Sequence, residues 1–325
     1  MNAPKEKIQF IAGARCIGIL LVVLGHSYPF NVSIPAFWEQ VRSFLYLFHM
    51  PLFIFISGYL VTKNTRPAGT YIARRATRLL IPYFALSLIA FVPKVMVQQF
   101  LNDSAEFSVA YLIKSELIPR QNVWGHFWYL PAIFLLGCLG VILTKPFQKN
   151  KWIQPAALIV SLAMLYLPTA TDWLGLEDIR KNAFYFILGM VFADTKAEWI
   201  LRSPFWLLAL PAAVFLFQLP VGIFSGCAIA CLMIGFILCI CTLADITVLP
   251  VLKNIELNSF SIFLLSWPAQ AVTEVLLNKL LHLPVAVTMV CMFTAGLVVP
   301  LICRKLVLAV DRRIPLGWLK IALGM

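Results

Sequence analysis

The sequence predicts an all-α integral membrane protein of about ten transmembrane helices, with both termini in the cytoplasm. Three observations carry that expectation. Of the 325 residues, 61% are hydrophobic and only 12% charged, whereas a soluble domain holds about 25% charged residues. Apolar runs approaching the roughly 20 residues that a bilayer span requires recur along the whole chain. The basic residues fall between those runs and favour one side, about 18 against 6 when the N-terminus is placed inside. Such a bias is the positive-inside signature of an even number of spans. It also accounts for the net charge of +12. A nucleic-acid-binding face would cluster its cations instead, so no nucleic-acid partner is expected.

The spans fall near 8–28, 42–62, 79–100, 127–145, 152–168, 182–195, 204–220, 222–243, 258–277 and 284–306. The first follows a basic start, as a signal peptide would, but Arg15 interrupts its apolar stretch and more spans follow. It reads as an uncleaved helix. A break at Pro220 divides the seventh from the eighth. No fixed-period repeat or long linker appears, so one domain over 1–325 is expected, with no appended soluble domain. Cys16, Cys138, Cys227, Cys231, Cys239, Cys241, Cys291 and Cys303 lie in or beside apolar runs. None has the spacing and polar context of a zinc site. They read as buried, reduced thiols, and no metal is expected.

The first span carries Arg15 near one end and His26 near the other. A charged side chain inside a membrane helix costs roughly 2.5–3.5 kcal/mol on insertion scales and is a functional-site hypothesis by default. Eleven positions make about three helical turns, so the two side chains share nearly one face, about 16 Å apart along the axis. The expected topology puts Arg15 nearer the inner face. His26, His49, His126 and His282 all fall at or near the outer one.

The second span opens at Phe48-His49-Met50-Pro51 and is an expected antiparallel neighbour of the first. Two imidazoles, His26 and His49, are then available to share a pocket. Imidazole titrates near pH 6.5, which suits removal of a hydroxyl proton. The plainer reading leaves each at the interface with its polar edge in water. Ser57-Gly58 reads as a close helix–helix contact rather than a nucleophile. The basic segment from Lys63 to Arg78 is either a topology determinant or, through Arg66, Arg74, Arg75 and Arg78, a clamp for a phosphate-bearing cytosolic ligand. No Gly-rich phosphate loop accompanies it, which argues against a kinase or ATPase.

His126-Phe127-Trp128-Tyr129 opens the fourth span, as an interfacial aromatic belt or as a platform for a sugar ring. The outer segments also hold Glu39, Asp103, Glu106, Glu116, Asp172, Glu177, Asp178 and Glu274, any of which is a candidate to orient a histidine.

These blocks resemble the acyltransferase 3 family: the Arg15 and His26 pair, Phe48-His49-Met50-Pro51-Leu52-Phe53 with Ser57-Gly58-Tyr59, and Arg78-Leu79-Leu80-Ile81-Pro82-Tyr83. His126 to Pro131 and Asn258 to Leu265 continue the pattern in the family's order, over nearly the whole chain. The Phe-His-Met-Pro form looks most like the branch of fucose O-acetyltransferases. The resemblance implies a multi-pass protein of the bacterial inner membrane, moving an acetyl group from acetyl-CoA to a hydroxyl of an envelope or secreted polysaccharide, or of its lipid-linked precursor. The family's essential Arg and His carry over onto Arg15 and His26. Two departures stand out: Ala12 where relatives often have an acid, and Ser266 where they often have a histidine. A different acid is therefore expected to partner Arg15, or the arginine meets phosphate directly.

Joined to the helix geometry, the resemblance yields a scheme. Acetyl-CoA phosphates meet Arg66, Arg74, Arg75 and Arg78, and the pantetheine arm passes Arg15. His26 then acts as base on an acceptor hydroxyl positioned by His49 or His126, with His126, Trp128 and Tyr129 binding the acceptor. The rival is a transporter or flippase in which Arg15 and His26 line a substrate or proton path.

Overall fold

The computed structural model describes residues 3–30, 32–97, 107–168, 171–312 and 317–324. Asp103, Glu106 and Arg313 lie outside them. Among the described residues the secondary structure is helical, without strands. In chain order the helices are α1 (Ala3–Gly25), α2 (Ala36–Thr62), α3 (Ala68–Val97), α4 (Val109–Leu117), α5 (Tyr129–Lys149), α6 (Ile153–Met164) and α7 (Leu176–Asp194). They continue as α8 (Ala209–Phe217), α9 (Ile223–Leu243), α10 (Pro250–Leu257), α11 (Ser259–Glu274), α12 (Val285–Asp311) and α13 (Gly317–Ala322).

Every expected span range holds a helix, but among the described residues only 6 helices are long and apolar enough to cross a membrane: α2, α3, α5 with the turn before it, α9, α11 with its extension, and α12. Shorter apolar helices cover Gln9–Gly25, Ile153–Met164 and Pro204–Phe217. Hydropathy alone had merged helical cores with the apolar turns that flank them. The seventh range, for instance, begins as a 3-10 turn at Pro204–Leu208 before α8 takes over. The sixth range begins inside α7, whose first turns carry Glu177, Asp178, Arg180 and Lys181.

Between helices in lipid there is no water to expel, so association rests on van der Waals packing and on small residues that let backbones approach. The α2–α7 contact is built that way. A Cβ at Gly58 would overlap the Phe186 carbonyl, and one at Gly189 would overlap the Phe55 carbonyl. Gly58 is thus a packing residue. Its neighbour Ser57 accepts a hydrogen bond from Arg75 Nη2 at 2.6 Å. The core of the bundle runs through α1, α2, α7 and α9, with Leu52, Ile54, Ile19, Phe186 and Ile229 all essentially buried. α12 lies at the periphery, packed mainly on α11 and otherwise apolar outward. α1 is therefore flanked by α2 on one side and α10–α11 on another, and the candidate site lies along that seam.

Candidate active site

At the Arg15 end of α1 the guanidinium is ion-paired with Glu256, the penultimate residue of α10. Glu256 is only 7% exposed and Arg15 33%, so water screens the pair on one side only. This is the acid that the sequence left open. The sequence holds a signal for it, since the expected topology puts the 244–257 segment, with Glu256, on the same side as Arg15.

The pair sits in the wall of a cavity of about 540 Å³ that Arg74, Arg78 and Arg304 also line, with Thr77, Ser259, Phe260 and the backbone near Gly324. Four guanidiniums against one carboxylate leave this cavity strongly cationic. Arg304, counted in the sequence only as a topology charge, belongs to it. Two expected members do not. Arg66 is exposed on the turn before α3, where its backbone N–H donates to Asn64 Oδ1. Arg75 points into the α2–α3–α5 interior, where it donates to Ser57 Oγ, Tyr71 Oη and the Ile133 carbonyl. Gly137 makes room for it, since a Cβ there would overlap Nε. Helical spacing separates these arginines: Arg74 and Arg78 are four apart and share a face, while Arg75 is turned about 100° from Arg74.

A second cavity of about 120 Å³ continues from the first, sharing Arg15, Arg78, Ser259 and Phe260. It runs past Ile19, one turn further along α1, and is otherwise walled by Met50, Phe53, Tyr129 and Phe263. Arg78 lies over the Phe260 ring at 5.3 Å at its entrance.

At the other end of α1 the chemistry changes to rings. His26 lies 6.4 Å from the His126 ring and 5.9 Å from Tyr46, centroid to centroid. Tyr46 is in turn 5.1 Å from His49 and donates from its hydroxyl to the Gly25 carbonyl at 2.8 Å. His49 was expected at the start of its span beside His26. It stands instead near the middle of α2, 3% exposed, because the helix begins as early as Ala36. Its Nδ1 is 2.6 Å from the Leu45 carbonyl, so Nδ1 carries a proton and Nε2 is left as the acceptor in the neutral ring. His126 has both ring nitrogens buried without a hydrogen-bond partner, a state that buried polar atoms rarely occupy. Trp267 stacks on it at 5.9 Å and 30°, and Trp124 meets Trp267 edge-on at 5.4 Å.

His126, Trp128 and Tyr129 thus part company. Tyr129 lines the 120 Å³ cavity. Trp128 has one face covered by Arg120 at 4.4 Å, and that arginine is held by fully buried Asp178. Of the three, His126 alone joins the ring cluster. His282, with a left-handed φ of 51°, lies in the turn before α12.

α11 braces the ring end of α1. Gln270 Nε2 donates to the Val23 carbonyl at 2.8 Å and to Ser27 Oγ at 2.9 Å. Glu274 accepts from the Phe30 amide at 2.8 Å. Glu274, one of the outer-segment acids, thus orients backbone rather than a histidine. No group of three or more metal-ligating side chains occurs among the described residues.

Comparison with known proteins follows this geometry. A family model described as an acyltransferase domain matches residues 8–305. The chain is 28% identical over 189 residues to nodulation protein NolL of Mesorhizobium japonicum, covering 56% of this chain and 46% of that protein. It is 32% identical over 203 residues to NolL of Sinorhizobium fredii, covering 58% and 49%. The chain therefore spans about half the length of the curated relatives it matches. No solved structure matches it.

Proposed function

The chain belongs to the acyltransferase 3 family, and from that premise we propose that it is a membrane O-acetyltransferase using acetyl-CoA. The acceptor is a hydroxyl of an envelope or secreted polysaccharide, or of a lipid-linked precursor. One observation carries the reading: a cationic cavity at Arg15 is continued along α1 by a narrower, mostly apolar one, and Phe263 in its wall also meets the ring of His126. That is the shape of a donor site for a polyphosphate whose reactive thioester sits at the far end of a long, uncharged arm.

In this scheme ten spans put both termini and the Arg15 end in the cytoplasm of a bacterial inner membrane, as the distribution of basic residues favours. The donor phosphates take the forks of Arg74, Arg78 and Arg304, which bind phosphate oxygens bidentately. Arg15, held by Glu256, stands where the arm enters the narrow cavity. His26 removes the proton of the acceptor hydroxyl and the oxygen attacks the thioester carbonyl. The C–S bond breaks, and the thiolate recovers the proton from the imidazolium. Tyr46 ties the end of α1 to α2 and so fixes His26. The two vacant nitrogens of His126 suit it to grip an acceptor hydroxyl, and the Trp124–Trp267 pair offers apolar faces to a sugar ring.

Purified protein in detergent, given acetyl-CoA and glycan, is expected to release free CoA in step with the mass gain of one acetyl group on the glycan. His26→Ala should lower that rate by about 10²–10⁴-fold while leaving acetyl-CoA binding by calorimetry unchanged. Full activity in that variant removes His26 as base. A transporter with Arg15 and His26 along its path would form no CoA where no gradient exists.

A further inference from the structure

α11 presents Ser259, Phe263 and Trp267 at intervals of four, one stripe along one face. Ser259 lines both cavities at the Arg15 end, and Trp267 stacks on His126 at the ring end. Phe263 stands between them. Its ring walls the 120 Å³ cavity and meets Tyr129 edge-on at 5.3 Å. It also turns an edge to His126 at 5.5 Å and 70°. It is 7% exposed. The cavity reaches Ile19 on α1, seven residues before His26, so roughly 10 Å of helix remains beyond its end. The Phe263 ring thus touches the cavity and the imidazole of His126 at once.

We infer that Phe263 is the partition between donor and acceptor, and that it makes the enzyme a transferase rather than a thioesterase and limits the acyl group that can cross; this rests on the acetyltransferase reading above. The chemistry gives the partition its purpose. Water and an alcohol attack the same carbonyl carbon, break the same C–S bond and return the same proton to the thiolate. One path yields free acid and CoA, the other an ester and CoA. Only exclusion of water from the thioester favours the ester, and closing a site to water is how enzymes suppress that side reaction. An aromatic ring that turns about two side-chain torsions closes the channel without moving a helix. Because the acyl group must pass that ring, each added methylene is felt there, and one methylene in a fitted apolar pocket changes rates by about 10–200-fold.

The test uses the full chain in detergent with acetyl-CoA or butyryl-CoA, with and without a panel of methyl glycosides, reading thiol release and glycoside mass. Wild type is expected to release thiol mainly when a glycoside is present and to prefer acetyl-CoA. Phe263→Ala should raise glycoside-independent thiol release from acetyl-CoA about tenfold or more and bring butyryl-CoA within about tenfold of acetyl-CoA. Phe263→Leu, which keeps most of the volume and guards against a folding defect in the alanine variant, should shift both readouts partway. Phe263→Trp should slow transfer with the KM for acetyl-CoA unchanged. Alanine or leucine variants with wild-type hydrolysis and wild-type acyl preference overturn the inference while leaving the transferase standing. Wild-type protein that releases no thiol with any donor and acceptor overturns both.

Discussion

The two ends of α1 are built on opposite principles. Around Arg15 the protein keeps four guanidiniums about one carboxylate in the wall of a cavity of about 540 Å³. Around His26 it packs three imidazoles with Tyr46, Trp124 and Trp267, and leaves both nitrogens of His126 without a partner. The first end holds charge; the second holds polar atoms in waiting. Uncompensated charge is tolerable only where solvent shares it, and a base acts best where water does not compete for the proton it removes. The contrast teaches that the pair on α1 is not a dyad. Its members sit in different surroundings, one in a cationic cavity and the other in a cluster of rings, about 16 Å of helix rise apart.

The sharpest way to break that contrast is Arg15→Lys, which keeps the charge and loses the fork. If the Arg15 end only binds, the KM for acetyl-CoA should rise about tenfold with kcat unchanged; a fall in kcat alone would join the two ends into one catalytic unit. A double-mutant cycle of Arg15→Lys with Glu256→Gln, read on the same KM, should show coupling of roughly 0.5–3 kcal/mol. A smaller effect separates the arginines themselves. Arg304→Gln should raise that KM several-fold, while Arg66→Gln, outside the cavity, should leave it within twofold. Equal effects would mean that bulk cytoplasmic charge, rather than the cavity, attracts the donor.

The smallest expected effect concerns stability at a second dry carboxyl, beyond the spans on α4. Glu116 has both oxygens buried, and burial pushes its pKa up to about 7 against the opposing pull of Ser87 and Asn122. Its folded pKa lies above the unfolded one, so the proton is held more tightly in the native state. Native stability relative to a glutamine is then undiminished below the unfolded pKa and is lost as pH rises toward 7. Glu116→Gln should match wild type in thermal unfolding at pH 4.5. By pH 8 it should be more stable by about 1–2 kcal/mol, after discounting for partial exposure.

Much of the site was legible in the sequence, though not evenly. The Arg15 and His26 pair is visible because both fall in one apolar run, although α1 ends at Gly25 with His26 just past it, and the close packing at Gly58 because small residues in an apolar run have few other uses. Arg74 and Arg78 line the cavity that holds Arg15, but charge alone does not tell them apart from Arg66 and Arg75. His49 was read as the partner of His26, but His126, 100 residues further on, has the nearer ring. Aromatics at 128 and 129 were grouped with His126 because they adjoin it in the chain. A helical turn sends adjacent side chains about 100° apart.

By itself the sequence determined the class of the molecule, an all-helical chain rich in apolar spans. Composition and the 3.6-residue period carry that within each segment. Only the tertiary structure decided that Glu256, 241 residues away, holds Arg15. It also decided that Arg304 completes the cationic cavity and that Phe263 stands between the two ends. Those facts depend on how far each helix is turned about its own axis and how deep it sits. The packing of all the helices together sets both, and no one segment carries that information.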